Sequence, residues 1–168
     1  LPFLMKLPPS VQQLRVDDLK PEEIRIPSVL VIPGDVGYLR QFFSAQLFLG
    51  NGTPGRANLT VREITGTLVM PAGAHHVVGT LDDPLSLAET INGVQPLTMA
   101  VIGPGPDGAL GTADDLTTLR AGEQGQAEFL VRGDLEGFHP IAFDIAAVLD
   151  GLPTGPVEVT GRASGGVK

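Results

Sequence analysis

Five apolar residues of one parity, Ile141, Phe143, Ile145, Ala147 and Leu149, form the longest alternating set in the chain. Successive side chains of a strand point to opposite faces, so such a run lays one apolar face along a sheet. The same period of two recurs from Ile24 onward. Ile24, Ile26, Leu30 and Ile32 share a parity and stop at Pro33-Gly34-Asp35, and Leu39, Phe43, Ala45, Leu47 and Leu49 repeat it before the turn residues Asn51-Gly52-Thr53-Pro54-Gly55. Leu59 and Val61 open a third run whose parity then shifts to Ile64, Leu68 and Met70, which predicts a bulge near Glu63. Pro71-Ala72-Gly73 ends that run. Leu97, Met99 and Val101, then Ala127, Phe129 and Val131, and finally Val157, Val159 and Ala163 complete the pattern. Alternation with one solvated face is the mark of antiparallel sheets, and stacking two of them buries both apolar faces. The expected fold is all-β: an immunoglobulin-like antiparallel β-sandwich of about seven strands.

Composition supports this. The chain has 22 Gly and 15 Pro among 168 residues, which suits short strands joined by sharp turns, and 42% hydrophobic residues argue against disorder. A net charge of −8 disfavours nucleic acid and anionic membranes as partners, since both need a basic surface. No run is long enough for a transmembrane helix. Zero cysteine excludes disulfides, thiolate metal sites and cysteine nucleophiles.

Residues 1–23 differ from the rest, with Pro2, Pro8, Pro9, Pro21 and mixed charge. Ser10-Val11-Gln12-Gln13 reads either as a capping box opening one or two helical turns through Leu19 or as part of a linker, and both readings stay open. The expected organisation is an N-terminal arm over 1–23 and the sandwich over 24–168. Leu1-Pro2-Phe3-Leu4-Met5 is too short for a signal-peptide core, so any export signal is expected outside the chain. The span from Ala74 to Val94 is the least regular, expected as a long connection with a short strand around His75 to Val78.

One stretch has neither period. Gly103-Pro104-Gly105-Pro106-Asp107-Gly108-Ala109-Leu110-Gly111-Thr112-Ala113-Asp114-Asp115 gathers glycine, proline and three carboxylates between two strand-like runs, and Gly79-Thr80-Leu81-Asp82-Asp83 is a partial upstream copy. Calcium takes six to eight oxygens at about 2.3–2.6 Å, and glycine lets a chain fold that tightly. Asp107, Asp114 and Asp115, with Asp82 and Asp83 in the copy, are the candidate ligands. The alternative is a hairpin-like Asp-Gly turn with solvated acids. His75-His76 would be a transition-metal site with Asp82 or Asp83 only if the chain kinks, because adjacent histidines on a strand point to opposite faces; an exposed pair at a strand start is the expected reading. No Gly-x-Ser-x-Gly occurs, and Gly103-Pro104-Gly105-Pro106 lacks both the amide donors and the lysine of a phosphate cradle. Glu22-Glu23, Asp17-Asp18 and Asp134 with Glu136 read as solvated faces. Asn51-Gly52-Thr53 and Asn58-Leu59-Thr60 are formal glycosylation sequons, read here as turn residues.

Two resemblances follow. The run from Phe43 to Asn51 and then Leu59 to Met70-Pro71-Ala72-Gly73, with Leu119 to Glu123, Ala127 to Val131 and Gly137-Phe138-His139 before Ile141, resembles bacterial extracellular immunoglobulin-like repeats of the CARDB (cell-adhesion-related) kind. The resemblance spans about Ile24 to Ala163, although the Ala74 to Leu119 region is longer than a minimal repeat needs. Asp107-Gly108 through Asp114-Asp115 resembles thrombospondin type 3-like calcium loops. Together they imply a structural or adhesion module of a secreted or cell-surface multidomain bacterial protein, with calcium as cofactor, neighbouring domains or other protein chains as partners, and no catalytic residue. Two other classes stay open. A carbohydrate-binding sandwich would present Tyr38, Phe42, Phe48 or Phe138 to glycans, and a self-assembling filament subunit would exchange the arm or pair strand edges.

Overall fold

The computed structural model describes residues 15–16, 28–31 and 42–167. Strands β1 (Arg15–Val16), β2 (Ser28–Val31), β3 (Phe42–Gly50) and β4 (Thr60–Val69) come first, followed by the short β5 (Leu85–Leu87), β6 (Glu89–Thr90), β7 (Gly93–Val94), β8 (Thr98–Ala100) and β9 (Thr118–Leu119). The long strands β10 (Gln124–Gly133), β11 (His139–Asp150) and β12 (Val157–Val167) finish the chain. All pairings are antiparallel, and no α-helix occurs among the described residues. One sheet runs β1-β12-β11-β4-β8 with β9 also on β4, and the other runs β2-β3-β10-β5. Arg15–Val16, in the stretch for which a helical turn and a linker both stay open in the sequence, pairs with Thr160 and Val159 as a strand. The rest of the 1–23 segment lies outside the described residues.

The core is the meeting of the two inner faces. Phe43, Ala45, Leu47 and Leu49 of β3 and Ala127, Phe129 and Val131 of β10 face Val61, Ile64 and Leu68 of β4 and the full Ile141, Phe143, Ile145, Ala147 and Leu149 set of β11. Phe129 and Phe143, one from each sheet, sit with ring centroids 5.1 Å apart and planes tilted by 39°. Gly66 keeps the inner face of β4 low enough for Leu47, whose Cδ2 would stand 2.8 Å from a Cβ placed there.

The bulge falls where the parity shift puts it. Glu63 has φ 54°, and the β4–β11 register slips between Ala146 and Val148. That residue divides the outer edge of β4. Thr65 to Thr67 pair with β8, and Val61 and Arg62 pair with β9. Between β8 and β9 the chain crosses to the other sheet, where Ile102 and Gln126 exchange amide-to-carbonyl hydrogen bonds of 2.8 Å each way.

Candidate functional site: two matched acidic loops

Two loops carry the candidate residues, and they share a backbone plan. The first, from Gly73 to Asp83, joins β4 to β5; the second, from Gly105 to Asp115, leaves and rejoins the bridge that Gly103 and Leu116 form. In each, the amide seven residues before the first aspartate donates to its carboxylate: His75 to Asp82 at 3.1 Å, Asp107 to Asp114 at 3.1 Å. A threonine hydroxyl donates to the same group, Thr80 to Asp82 at 2.6 Å and Thr112 to Asp114 at 2.7 Å. The amides of Gly79 and Gly111 donate to the second aspartate, Asp83 and Asp115. Gly79 and Gly111 have φ 96° and 87°, a region open to glycine and strained for other residues. Gly73 and Gly105 serve sterically, because a Cβ there would lie 2.3 Å from the Asp82 carbonyl oxygen or 1.9 Å from that of Asp114.

The copy is therefore longer than the Gly-Thr-x-Asp-Asp signature. It starts at the leading glycines, and the sequence between them differs too much (His75-His76 against Asp107-Gly108) for the match to be read without the hydrogen bonds. The backbone tolerates that difference at a strain: His76 takes φ 57° where Gly108 takes 74°. The strand expected around His75 to Val78 is absent. These residues turn, because Gly73 accepts the His76 amide at 3.0 Å and Asp82 holds the His75 amide, leaving no ladder partner for the segment.

The loops differ in burial. Asp83 is only 2% exposed and accepts from the amides of Gly73 (2.8 Å), Gly79 and Thr80 (3.0 Å) and from the Thr80 hydroxyl (3.2 Å). These donors, the Gly73 amide foremost, favour the ionised form and hold its pKa down. The Thr80 hydroxyl and then the His75 ring hold Asp82 far below the usual carboxylate range, and His75, whose Nδ1 lies 2.8 Å from Asp82, is raised in turn. In the second loop the Thr112 hydroxyl lowers Asp114. In that loop Asp107 is exposed and Asp114 and Asp115 are half-buried, with the Asp107 carboxylate taken up by the Ala109 amide at 2.8 Å.

Asp82 and Asp83 are thus brought together in one loop, and Asp107, Asp114 and Asp115 in another. Among the described residues no three His, Cys, Asp or Glu side chains gather as a metal-holding group. Most of the carboxylate oxygens that a calcium shell would need already accept hydrogen bonds from their own loop. Asp134, read as solvated, instead pairs with Arg132 at 2.7 Å and accepts from Ser86 at 2.6 Å. His139 lies 2.9 Å by its Nε2 from the Leu135 carbonyl oxygen.

Sequence reasoning saw Asn51 as a turn residue and missed its larger part. It is 1% exposed; its side-chain NH2 donates to the carbonyls of Leu59 (3.0 Å) and Leu119 (2.9 Å), and its Oδ1 accepts from the amide and hydroxyl of Thr53. Its main chain exchanges bonds with Glu123 and Gly122. This one residue so ties the start of β4 and the end of β9, through its side chain, and the entry to β10, through its main chain, to the end of β3, and its buried amide is closed to glycosylation in the folded module. Of the aromatic candidates, Phe42 is 54% and Phe138 66% exposed, the ring of Phe138 lying by one face over Gly166, whose added Cβ would stand 2.2 Å from it. Tyr38 lies outside the described residues.

A cavity of about 790 Å³ opens beside the first loop, walled by Met70, Val78, Leu81, Leu85, Val94 and Leu97. No helix among the described residues is long and apolar enough to cross a membrane. Comparison with protein-family models, with curated proteins and with solved structures finds no match to this chain.

Proposed function

We propose that the chain is a structural or adhesion module of a secreted or cell-surface multidomain protein, with its two acidic loops acting as hydrogen-bonded closures. The observation that carries this reading is the use made of the polar side chains expected to do chemistry. Asp82, Asp83, Asp114 and Asn51 each spend their hydrogen-bonding capacity on the module's own backbone. Side chains that hold loops shut support a rigid spacer with neighbouring domains or other protein chains as partners. An immunoglobulin-like arrangement of the strands belongs to the same proposal. Calcium is a separate proposal for these loops, with Asp107, Asp114 and Asp115 as ligands: Asp107 is the exposed carboxylate of the five, and binding would have to displace the internal donors.

Purified protein tests both. A spacer sediments as a monomer, binds no glycan on an array and melts in one cooperative transition. Glycan binding lost on Phe42→Ala would move the assignment to carbohydrate recognition, and polymers would move it to filament assembly. Calorimetric titration with millimolar calcium decides the second proposal, since binding to the folded state alone must raise the melting temperature.

A further inference from the structure

We propose that Asn92-Gly93 is a site of spontaneous chemical modification, converting asparagine to isoaspartate and aspartate in the folded protein. The chain has two Asn-Gly dipeptides, and the structure treats them oppositely. Asn51 is buried with both ends of its side chain bound. Asn92 is exposed at the tip of the β6–β7 hairpin, beside Ile91 at 101% exposure, and nothing lies within 4 Å of where a Cβ on Gly93 would be. A glycine at that position leaves the approach to its amide nitrogen unobstructed.

The reaction needs no partner beyond water. The Gly93 amide nitrogen, losing its proton to solvent hydroxide, attacks Cγ of Asn92; a C–N bond forms and the side-chain nitrogen leaves as ammonia. Water then opens the five-membered succinimide at either carbonyl, giving aspartate or, with the main chain rerouted through the side chain, isoaspartate. The turn must loosen for the attack. It is held by the Thr90 hydroxyl, which donates to the Gly93 carbonyl at 3.1 Å and accepts the Asn92 amide at 3.2 Å, and by a ladder of two residue pairs that belongs to neither main sheet. Isolated two-stranded hairpins are marginal in water, so this one opens without the rest of the module.

The site has a structural consequence. Two residues along, the Gln95 side chain donates to the carbonyls of Ala88 and Leu130 (2.9 Å each) and accepts the Leu130 amide at 3.1 Å, covering the β10 edge as a strand would. Isoaspartate lengthens the main chain within the turn that positions this plug and adds a negative charge.

Peptide mapping by mass spectrometry after incubation of the folded protein in mildly alkaline buffer tests the proposal, with the excised Asn92 peptide and Asn92→Gln run alongside. Asn92 is expected to convert more than ~10-fold faster than Asn51, which needs global opening, and the Gln variant to stay unchanged. The proposal fails if Asn92 stays intact in the folded chain while the excised peptide converts. It fails equally if Asn92 and Asn51 convert at one rate, because the reaction then runs through the unfolded state.

Discussion

The carboxylate of Asp83 accepts the amide of Gly73 at 2.8 Å, so the last residue of the first acidic loop is tied to its first. Asparagine in that place has one acceptor oxygen and turns an NH2 toward donors that have no use for it. Asp83→Asn is expected to lower the melting temperature by several degrees, and more than Asp115→Asn, whose half-buried carboxylate accepts a single amide, that of Gly111, beside the Thr112 hydroxyl. Thermal unfolding followed by circular dichroism checks the order; equal shifts would mean that burial of the closure is irrelevant.

The leading glycines are steric requirements. Gly105→Ala puts a methyl group 1.9 Å from the Asp114 carbonyl oxygen, a backbone atom with no room to move alone. Its cost is expected at about 1–3 kcal/mol, the range for forced overpacking. Gly55→Ala, where nothing lies within 4 Å, is the control and should stay within ~0.5 kcal/mol of the parent.

Asn51→Ala orphans the buried carbonyls of Leu59 and Leu119 together with the Thr53 donors. Urea denaturation should show a loss on the order of 3 kcal/mol, since each buried unsatisfied group costs about 1–3 kcal/mol. Phe129→Ala, which empties the ring site against Phe143, should cost about 3–5 kcal/mol by the same method.

Acid sensitivity follows from the loops. Asp82, Asp83 and Asp114 are depressed in the folded state, so they bind fewer protons folded than unfolded. Their stabilisation is complete above the unfolded carboxylate value of about 3.9 and drains as the pH falls through the folded values. His75 runs the other way. Raised by Asp82, it contributes fully below its unfolded value of about 6.5 and loses that contribution as the pH rises through the folded one. Melting curves across this range should show the acid limb flattened in Asp83→Asn and the neutral limb flattened in His75→Gln.

What the sequence disclosed is what period and turn chemistry encode. The core parity of β3, β4, β10 and β11 is readable because one face of each strand is buried, and the Glu63 bulge is readable because a slip of one residue reverses that face. Asp82, Asp83, Asp107, Asp114 and Asp115 were visible as acids, but not what they hold. The amides of Gly73, His75 and Asp107 carry no side-chain signature, so a carboxylate bound by them looks the same in sequence as one awaiting a cation. Asn51 was hidden for a like reason, since the carbonyls of Leu59 and Leu119 come from segments that only the fold brings together.

The order of the ladders sets a timetable for folding. The long β11–β12 ladder joins neighbours across one short connection, whereas Gly50 of β3 pairs with Gln124 of β10, and Val69 of β4 with Ala142 of β11. Closing such long loops before any contact rewards them is slow, and topologies dominated by non-local pairs fold in milliseconds to seconds. A chain emerging from its N-terminal end therefore carries β3 and β4 with their apolar faces open until the last third has been made. Any cell producing this module has to shelter those two strands in the interval, or deliver the whole chain before it folds.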